Sequence, residues 1–388
     1  MDRGFSTTLI HRGEGKVQPA GSLTTPIYET TTFVFDSADE VRRYNEGKAA
    51  HYLYSRYENP TVVAAEEKLA AADDADAALA FSSGMAATSN LLLTFLQSGD
   101  EVVCSAAIYG GTFHLLEDFL PKLGIRTRFV SLAELGQPCR VIGAATRIVW
   151  FESPINPHLR CVDIRTIAEA CRSRGVLSVI DNTFASPINQ RPLHLGVDLS
   201  MQSATKYLNG HSDVTGGVLS GRRELIEPLA MARRKLGGIM DPQAAYALGR
   251  GLKTLPIRVA RHNANAITVA SALENHPRIK RVYYPGLPSH PDHEIAKRQM
   301  TGFGGMVCID LDGGQQAAYR AFDRLQVIKR AASLGGTESL CSLPILTSQW
   351  GHTDDQLAAA EISKGMMRLS IGLEDPEDLI ADLRQAVE

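Results

Sequence analysis

The chain has 388 residues, with 40 Lys+Arg against 43 Asp+Glu and 44% hydrophobic residues. That length supports a large core and two domains, and the near-balance of charge excludes both a basic nucleic-acid footprint and an acidic disordered tail. Six scattered cysteines without a C-x-x-C pair, no apolar run near the roughly 20 residues of a membrane helix, and an MDRGFSTTLIHRGEG start without a signal-peptide apolar centre predict a cytoplasmic protein with reduced thiols.

Residues 1–60 are rich in Thr, Tyr, Pro and Gly, show little helical period and read as an extended N-terminal arm. From Thr61 the pattern changes. TVVAAEEKLAAADDA is helical in propensity and spacing, AALAF (77–81) reads as a strand, and AATSNLLLTFL as a helix. EVVCSA (101–106), TRFVSL (127–132), RIVWFE (147–152), VLSVID (176–181) and LSMQSA (199–204) are further strands, several separated by helical stretches such as RTIAEACRSR. Buried strands alternating with helices predict an α/β domain on a mostly parallel sheet. One long helical stretch, Pro242–Leu273, bridges to a second unit. There VYYPG, GMVCIDL, QVIKRAASL and MMRLSIGL read as strands and 290–299, 315–325 and 376–387 as helices. The expected organisation is an arm (1–60), a large domain (61–250) and a smaller α+β C-terminal domain (251–388).

Ligands of open α/β sheets gather beyond the carboxyl ends of the strands. After AALAF, Ser82-Ser83-Gly84-Met85 opens a helix; it serves equally as a phosphate turn or as a plain N-cap turn, and it is neither a Walker A loop nor a Gly-x-Gly-x-x-Gly turn. Asp181 ends VLSVID as a helix cap, a metal ligand or a partner for a cationic ring nitrogen. Lys206 follows LSMQS, with Ser203 and Thr205 offering hydroxyls beside it. Phosphate turn, acidic strand end and flanked lysine together suit a cofactor with a phosphate, a basic ring nitrogen and an aldehyde. Pyridoxal phosphate has those parts: a lysine forms its Schiff base and an acid keeps its ring nitrogen protonated. Tyr109 is either a stacking ring and acid–base or a core tyrosine, and Arg368, in an alternating strand, is either a carboxylate fork or a solvated charge.

TPIYETTTF, YSRYENPT, SSGMAA, IYGGT, ESPINP, DNTFASP, SATKYLNGH, YPGLPSHPDHEIAKRQMTGFGGMV, SLGGTESL and RLSIGLEDPEDL occur in one order. In them the chain resembles the trans-sulfuration, or Cys/Met metabolism, enzymes that use pyridoxal phosphate, from about Thr24 to the C-terminus. The resemblance implies a fold-type I transferase. It implies that Lys206 holds the cofactor and moves protons, that Asp181 meets the pyridine nitrogen, and that Asn156 lies near the phenolic oxygen. It further implies that Gly84, Met85, Ser203 and Thr205 hold the phosphate with Ser83 close by, and that Tyr109 stacks on the ring and assists the leaving group. Arg368, with help near Ser333, would grip the substrate carboxylate. Tyr54 and Arg56 would reach the phosphate of a neighbouring subunit, so the implied assembly is a catalytic dimer, usually paired into a homotetramer. No metal is expected, the His290/His293 pair being part of the family pattern.

The implied activity is γ-replacement or γ-elimination on sulfur amino acids or homoserine esters, of the cystathionine γ-synthase/γ-lyase type. Alternatives are methionine γ-lyase, cystathionine β-lyase or homoserine-ester sulfhydrylase, and in a different class a pyridoxal-phosphate aminotransferase. Gly111 stands where typical methionine γ-lyases carry a cysteine, and PILTSQ with Trp350 departs from the usual Met-Thr-His.

Overall fold

Short apolar runs form the strands of two sheets in the computed structural model, which describes residues 4–15 and 18–388. Residues 1–3 and 16–17 of the expected arm lie outside the described residues. The larger sheet has seven strands: β1 (Ala77–Phe81), β2 (Glu101–Ser105), β3 (Arg126–Val130), β4 (Thr146–Glu152), β5 (Leu177–Asp181), β6 (Leu199–Ser203) and β7 (Gly217–Gly221). Their spatial order is β1-β7-β6-β5-β4-β2-β3. All neighbours are parallel except β7, which runs antiparallel to both β1 and β6. Buried side chains on both faces of this sheet explain why its strands read as continuous apolar runs.

The helices around it start on identifiable caps. Asn59 accepts from Thr61 N at 2.9 Å, with Pro60 at the first position of helix Pro60–Asp73; Ser83 accepts from Ala86 N at 3.0 Å at the head of helix Gly84–Phe95; Asp163 accepts from Thr166 N at 3.1 Å before Ile164–Ser173. The smaller sheet contains β8 (Ile279–Tyr283), β9 (Met306–Leu311), β10 (Lys329–Arg330), β11 (Leu340–Ser342) and β12 (Met366–Ser370), ordered β10-β11-β12-β9-β8. It is antiparallel apart from the β10–β11 pair. Helices Leu255–Leu273, Gly314–Arg324 and Pro376–Val387 share one apolar core with this sheet. Among the described residues no helix is long and apolar enough to cross a membrane.

The structure corrects several sequence expectations. β7 went unread because GVLSG has only three residues between two glycines, a pattern that also describes a loop. Its glycines are there for close approach. A Cβ at Gly217 would lie 2.2 Å from the Ser83 carbonyl oxygen, and one at Gly221 2.8 Å from that of Asp198. The stretch Pro242–Leu273 is two helices, Pro242–Leu252 and Leu255–Leu273, because Pro256 lacks the N–H that a continuous helix needs and belongs in a first turn. QVIKRAASL supplies only the two residues of β10, and β11 was unread inside SLGGTESLCSLP. The arm is not wholly extended. Helix Phe5–His11 packs its buried Leu9 beside Val62, Ala65 and Leu69, held by buried Lys68, whose Nζ donates to Leu9 O at 2.6 Å. A second helix, Ala38–Asn45, is capped by Ser37.

Two glycine substitutions test this packing. Gly217→Ala puts a methyl group into backbone and is expected to cost about 1–3 kcal/mol. Gly249→Ala, in a helix with nothing within 4 Å of the new Cβ, is expected to stabilise by about 0.5–1 kcal/mol. Denaturant midpoints at unchanged slope read both, and equal midpoints for the two variants contradict the expectation.

Candidate active site

The loops beyond the carboxyl ends of β1, β2, β4, β5 and β6 surround a cavity of about 660 Å³, completed from the smaller sheet by Ser333 and Arg368. Every expected site residue lines it except Tyr54 and Arg56. Those two lie elsewhere on the chain. Tyr54 is 40% exposed, and the Arg56 guanidinium packs over the Tyr54 and Tyr57 rings and donates to the Arg234 carbonyl oxygen.

At one end of the cavity Ser83, Gly84 and Met85 begin helix Gly84–Phe95. Among the described residues no protein acceptor takes the N–H groups of Gly84 and Met85. Helix starts leave such groups free, and the dipole there favours an anion. The glycine keeps this end open: a Cβ on Gly84 would stand 3.3 Å from Ser203 Cβ and 3.4 Å from its hydroxyl. Thr205 Oγ1 accepts from Gly216 N at 3.0 Å, which ties the turn before Lys206 to the chain entering β7.

Asp181 ends β5, opposite Met201 of β6 and Glu152 of β4. Its Oδ1 accepts from Thr183 N at 3.0 Å and from the Thr183 hydroxyl at 2.5 Å, while Thr183 Oγ1 accepts from Ser203 N at 2.8 Å. Burial raises the Asp181 carboxyl above its ordinary range, and the two Thr183 bonds oppose that rise.

Lys206 sits in a turn that its neighbours hold in place. Gly210 N donates to Lys206 O at 2.8 Å. Arg258, buried on helix Leu255–Leu273, donates to the Tyr207 carbonyl at 2.8 Å and to that of Leu208 at 3.3 Å. Only glycine at 210 (φ +73°) admits that guanidinium, since a Cβ would fall 1.8 Å from Arg258 Nη1. The Lys206 amine donates to the Ser333 hydroxyl at 2.9 Å. Burial, reinforced by the positive charge of Arg368, pulls its pKa from 10.5 down to about 8.

Arg368, on β12, is 7% exposed and meets no carboxylate. Its Nη1 donates to Asn156 Oδ1 at 2.9 Å and its Nη2 to the Ser333 carbonyl at 3.3 Å. Guanidinium groups this buried are ordinarily paired. An acceptor set made only of neutral oxygens leaves the site short of one anion.

Sequence reasoning missed Glu152, which is 4% exposed and lines the same cavity. It ends a buried strand just as Asp181 does, so the signal that singled out Asp181 also marks Glu152. Thr183, Phe184 and Thr215 were likewise unread. At the mouth, Thr347, Ser348 and Trp350 close over Gly110, whose Cβ would lie 2.0 Å from the Ser348 carbonyl oxygen. Trp350 is 67% exposed there. Tyr109, at the end of the loop after β2, is 45% exposed and available to a ligand in the cavity.

The donor set fits pyridoxal phosphate. Free helix-start N–H groups and nearby hydroxyls suit its phosphate, the Asp181 carboxyl suits its ring nitrogen, and an amine with lowered basicity suits its aldehyde.

Comparison with known proteins agrees. The sequence matches the family described as Cys/Met metabolism PLP-dependent enzyme over residues 6–388. The L-methionine gamma-lyase of Fusobacterium nucleatum is 42% identical over 99% of this chain and 98% of its own length. Cystathionine gamma-synthase 1 (chloroplastic) of Arabidopsis thaliana is 40% identical over 98% of this chain and 68% of its own. The crystal structure of metB from Corynebacterium glutamicum superposes with a TM-score of 0.93 at 39% identity, covering 99% of this chain and 98% of that one. That of cystathionine gamma-lyase from Lactobacillus plantarum, complexed with L-serine, gives 0.92 at 36% identity, covering 99% and 98%. The fold is therefore the fold-type I architecture expected from the sequence, and the chain belongs to the Cys/Met metabolism PLP-dependent enzymes.

Proposed function

We propose that the protein catalyses γ-replacement or γ-elimination on sulfur amino acids or homoserine esters, of the cystathionine γ-synthase/γ-lyase type. The observation that carries this reading is Arg368: a buried guanidinium without a carboxylate, reached through Ser333 by the Lys206 amine. An amino acid brings the missing carboxylate, and its α-carbon then lies within the Lys206 region of the cavity.

Pyridoxal phosphate, when bound, supplies an electron sink for charge developing at the amino acid's α-carbon. Gly84, Met85, Ser203 and Thr205 would hold its phosphate with Ser83 close by, Asp181 would meet its ring nitrogen, Asn156 would lie near its phenolic oxygen, and Tyr109 would stack on its ring. Arg368 takes the substrate α-carboxylate with both guanidinium nitrogens and fixes which Cα bond faces Lys206. Ser333 Oγ aims the Lys206 amine, which accepts the α-proton at Nζ in its neutral form. Lys206, its first proton released, then takes a β-proton; the electron pair left at the β-carbon expels the γ-substituent, to which the Tyr109 hydroxyl gives a proton. Addition of a thiol at the γ-carbon, or release of a 2-oxo acid and ammonia, calls on these same residues.

Gly111 favours the cystathionine type over methionine γ-lyase. A Cβ at 111 would lie 2.6 Å from Tyr109 Cε1 and 3.1 Å from Met85 Sδ, so a cysteine there would have to displace both side chains. Tyr54 and Arg56, outside the cavity of their own chain, are read as serving the cavity of a second copy in a catalytic dimer within a homotetramer. The enzyme is read as cytoplasmic.

Product analysis tests the reading: cystathionine, methionine, homocysteine, and acetyl- or succinyl-homoserine plus cysteine, each assayed for thiol, 2-oxo acid and thioether. Turnover of a γ-substituted substrate is expected, with KM raised at least about tenfold in Arg368→Lys, which cannot form the bidentate fork. Amino transfer to a 2-oxo acid as the sole activity would overturn it.

Covalent capture of pyridoxal phosphate by the cofactor-free protein, fixed with borohydride, is expected to quicken with pH about a midpoint near 8, where half of the Lys206 amines are neutral. A midpoint near 10.5, the ordinary lysine value, contradicts this. Lys206→Ala is expected to stay folded and take no label.

Arg56→Ala and Tyr54→Phe are expected to lose cofactor more readily on dialysis. Mixing dialysed Arg56→Ala with inactive Lys206→Ala chains should raise activity and cofactor retention above those of Arg56→Ala alone, since a hybrid dimer holds one intact site. Unchanged retention, or an active monomer in sedimentation, speaks against a shared site.

A further inference from the structure

Glu152 is the one buried carboxyl in the cavity that the mechanism above leaves without a task. Its Oε1 accepts from Tyr109 N at 2.7 Å and its Oε2 from Asn156 N at 3.3 Å. Both bonds are to backbone, one on each carboxyl oxygen. The Tyr109 N–H begins helix Gly110–His114, whose start has no side-chain cap, so Glu152 is the group that fixes it. Asn156 in turn accepts from Arg368 through Oδ1 at 2.9 Å. The chain of contacts runs Tyr109, Glu152, Asn156, Arg368.

We propose that Glu152 is a positioning residue for the bound pyridoxal phosphate: its one carboxyl group ties the Tyr109 backbone to the Asn156 backbone, so that the tyrosine ring, the asparagine amide and the arginine fork are set as a unit. The inference rests on the cofactor reading given above. Its distinguishing feature is that a residue in the strand layer, which itself bonds only backbone N–H groups, positions Tyr109, a residue that is 45% exposed.

Burial and the adjacent negative charge of Asp181 push the Glu152 carboxyl above its ordinary range. The two N–H groups and the Arg368 charge act against that rise. A glutamine has the same shape but only one acceptor atom, and its amide N–H would face one of the two backbone donors.

The test uses full-length Glu152→Gln, Glu152→Asp and, as a control, Glu101→Gln. Glu101 accepts from the Thr146 hydroxyl at 2.8 Å at the opposite end of β2, far along the strand from the cavity mouth. Three quantities are measured: the dissociation constant of pyridoxal phosphate from the cofactor-free protein, the visible circular dichroism of the loaded protein, and the thermal midpoint. Glu152→Gln is expected to weaken cofactor binding about tenfold, the effect of one lost hydrogen bond of about 1.4 kcal/mol, and to change the visible dichroism, with a thermal midpoint like that of Glu101→Gln. Glu152→Asp, which keeps the carboxyl group but shortens the reach, should fall between Gln and wild type in affinity. Wild-type affinity and dichroism in Glu152→Gln overturn the proposal. So does a variant that loses affinity only in step with its thermal midpoint or far-ultraviolet dichroism, since the residue is then structural. A wild-type protein that takes up no pyridoxal phosphate overturns the cofactor reading instead.

Discussion

Four buried ionisable groups line one cavity, and among the described residues no salt bridge joins any of them to a partner. Lys206 meets Ser333, Arg368 meets Asn156 and Ser333, Asp181 meets Thr183, and Glu152 meets two backbone N–H groups. Every one is shifted by burial toward its neutral form, the bases downward and the acids upward. Leaving charges unpaired out of water costs several kcal/mol, and such an arrangement persists only where the surrounding structure over-determines it. The geometry of the rest of the chain is intelligible as the means of holding those four groups apart and in place.

The sheet supplies most of that means. Register places Glu152 beside Asp181 at the ends of adjacent strands, and the parallel run of β4, β5 and β6 brings their loops to one edge. The single reversed strand, β7, brings its first residues to that same edge, where Gly217 fits against the Ser83 carbonyl. The smaller sheet adds Arg368 and the segment carrying Ser333. Arg258 fastens the Lys206 turn from the far side by three backbone carbonyls, two of them in that turn and one at Gly251.

Much of this was legible in the residues. Short runs flanked by turn residues gave six strands of the large sheet nearly to the residue: in five of them burial on both faces leaves no alternation to misread, while the edge strand β3, RTRFV, is mostly unburied. The lysine, the Asp181 strand end and the Ser83–Met85 helix start were legible as chemistry because each sits where a strand stops. What escaped has a common cause. β7 and β11 are three to five residues long and bounded by Gly, Ser or Pro, so their strand character comes from their neighbours and not from themselves. The break at Lys253–Thr254 was hidden by helical residues on both sides of it. Glu152 was overlooked although it ends its strand as Asp181 does, and the register with β5 sets the two carboxyl residues side by side. Tyr54 and Arg56 lie outside their own chain's cavity, and a single chain gives them no ligand to meet.

The cavity is built across a seam. Lys206 and Asn156 stand on one side of it, Ser333 and Arg368 on the other, and two bonds join them, each from a basic side chain to a neutral oxygen. A carboxylate seated on Arg368 while its own carbon skeleton is held near Lys206 spans that seam and acts as mortar between the two sheets. By linkage, whatever cohesion the bound amino acid lends to the two lobes is the same free energy by which a parted seam would loosen its grip on the amino acid.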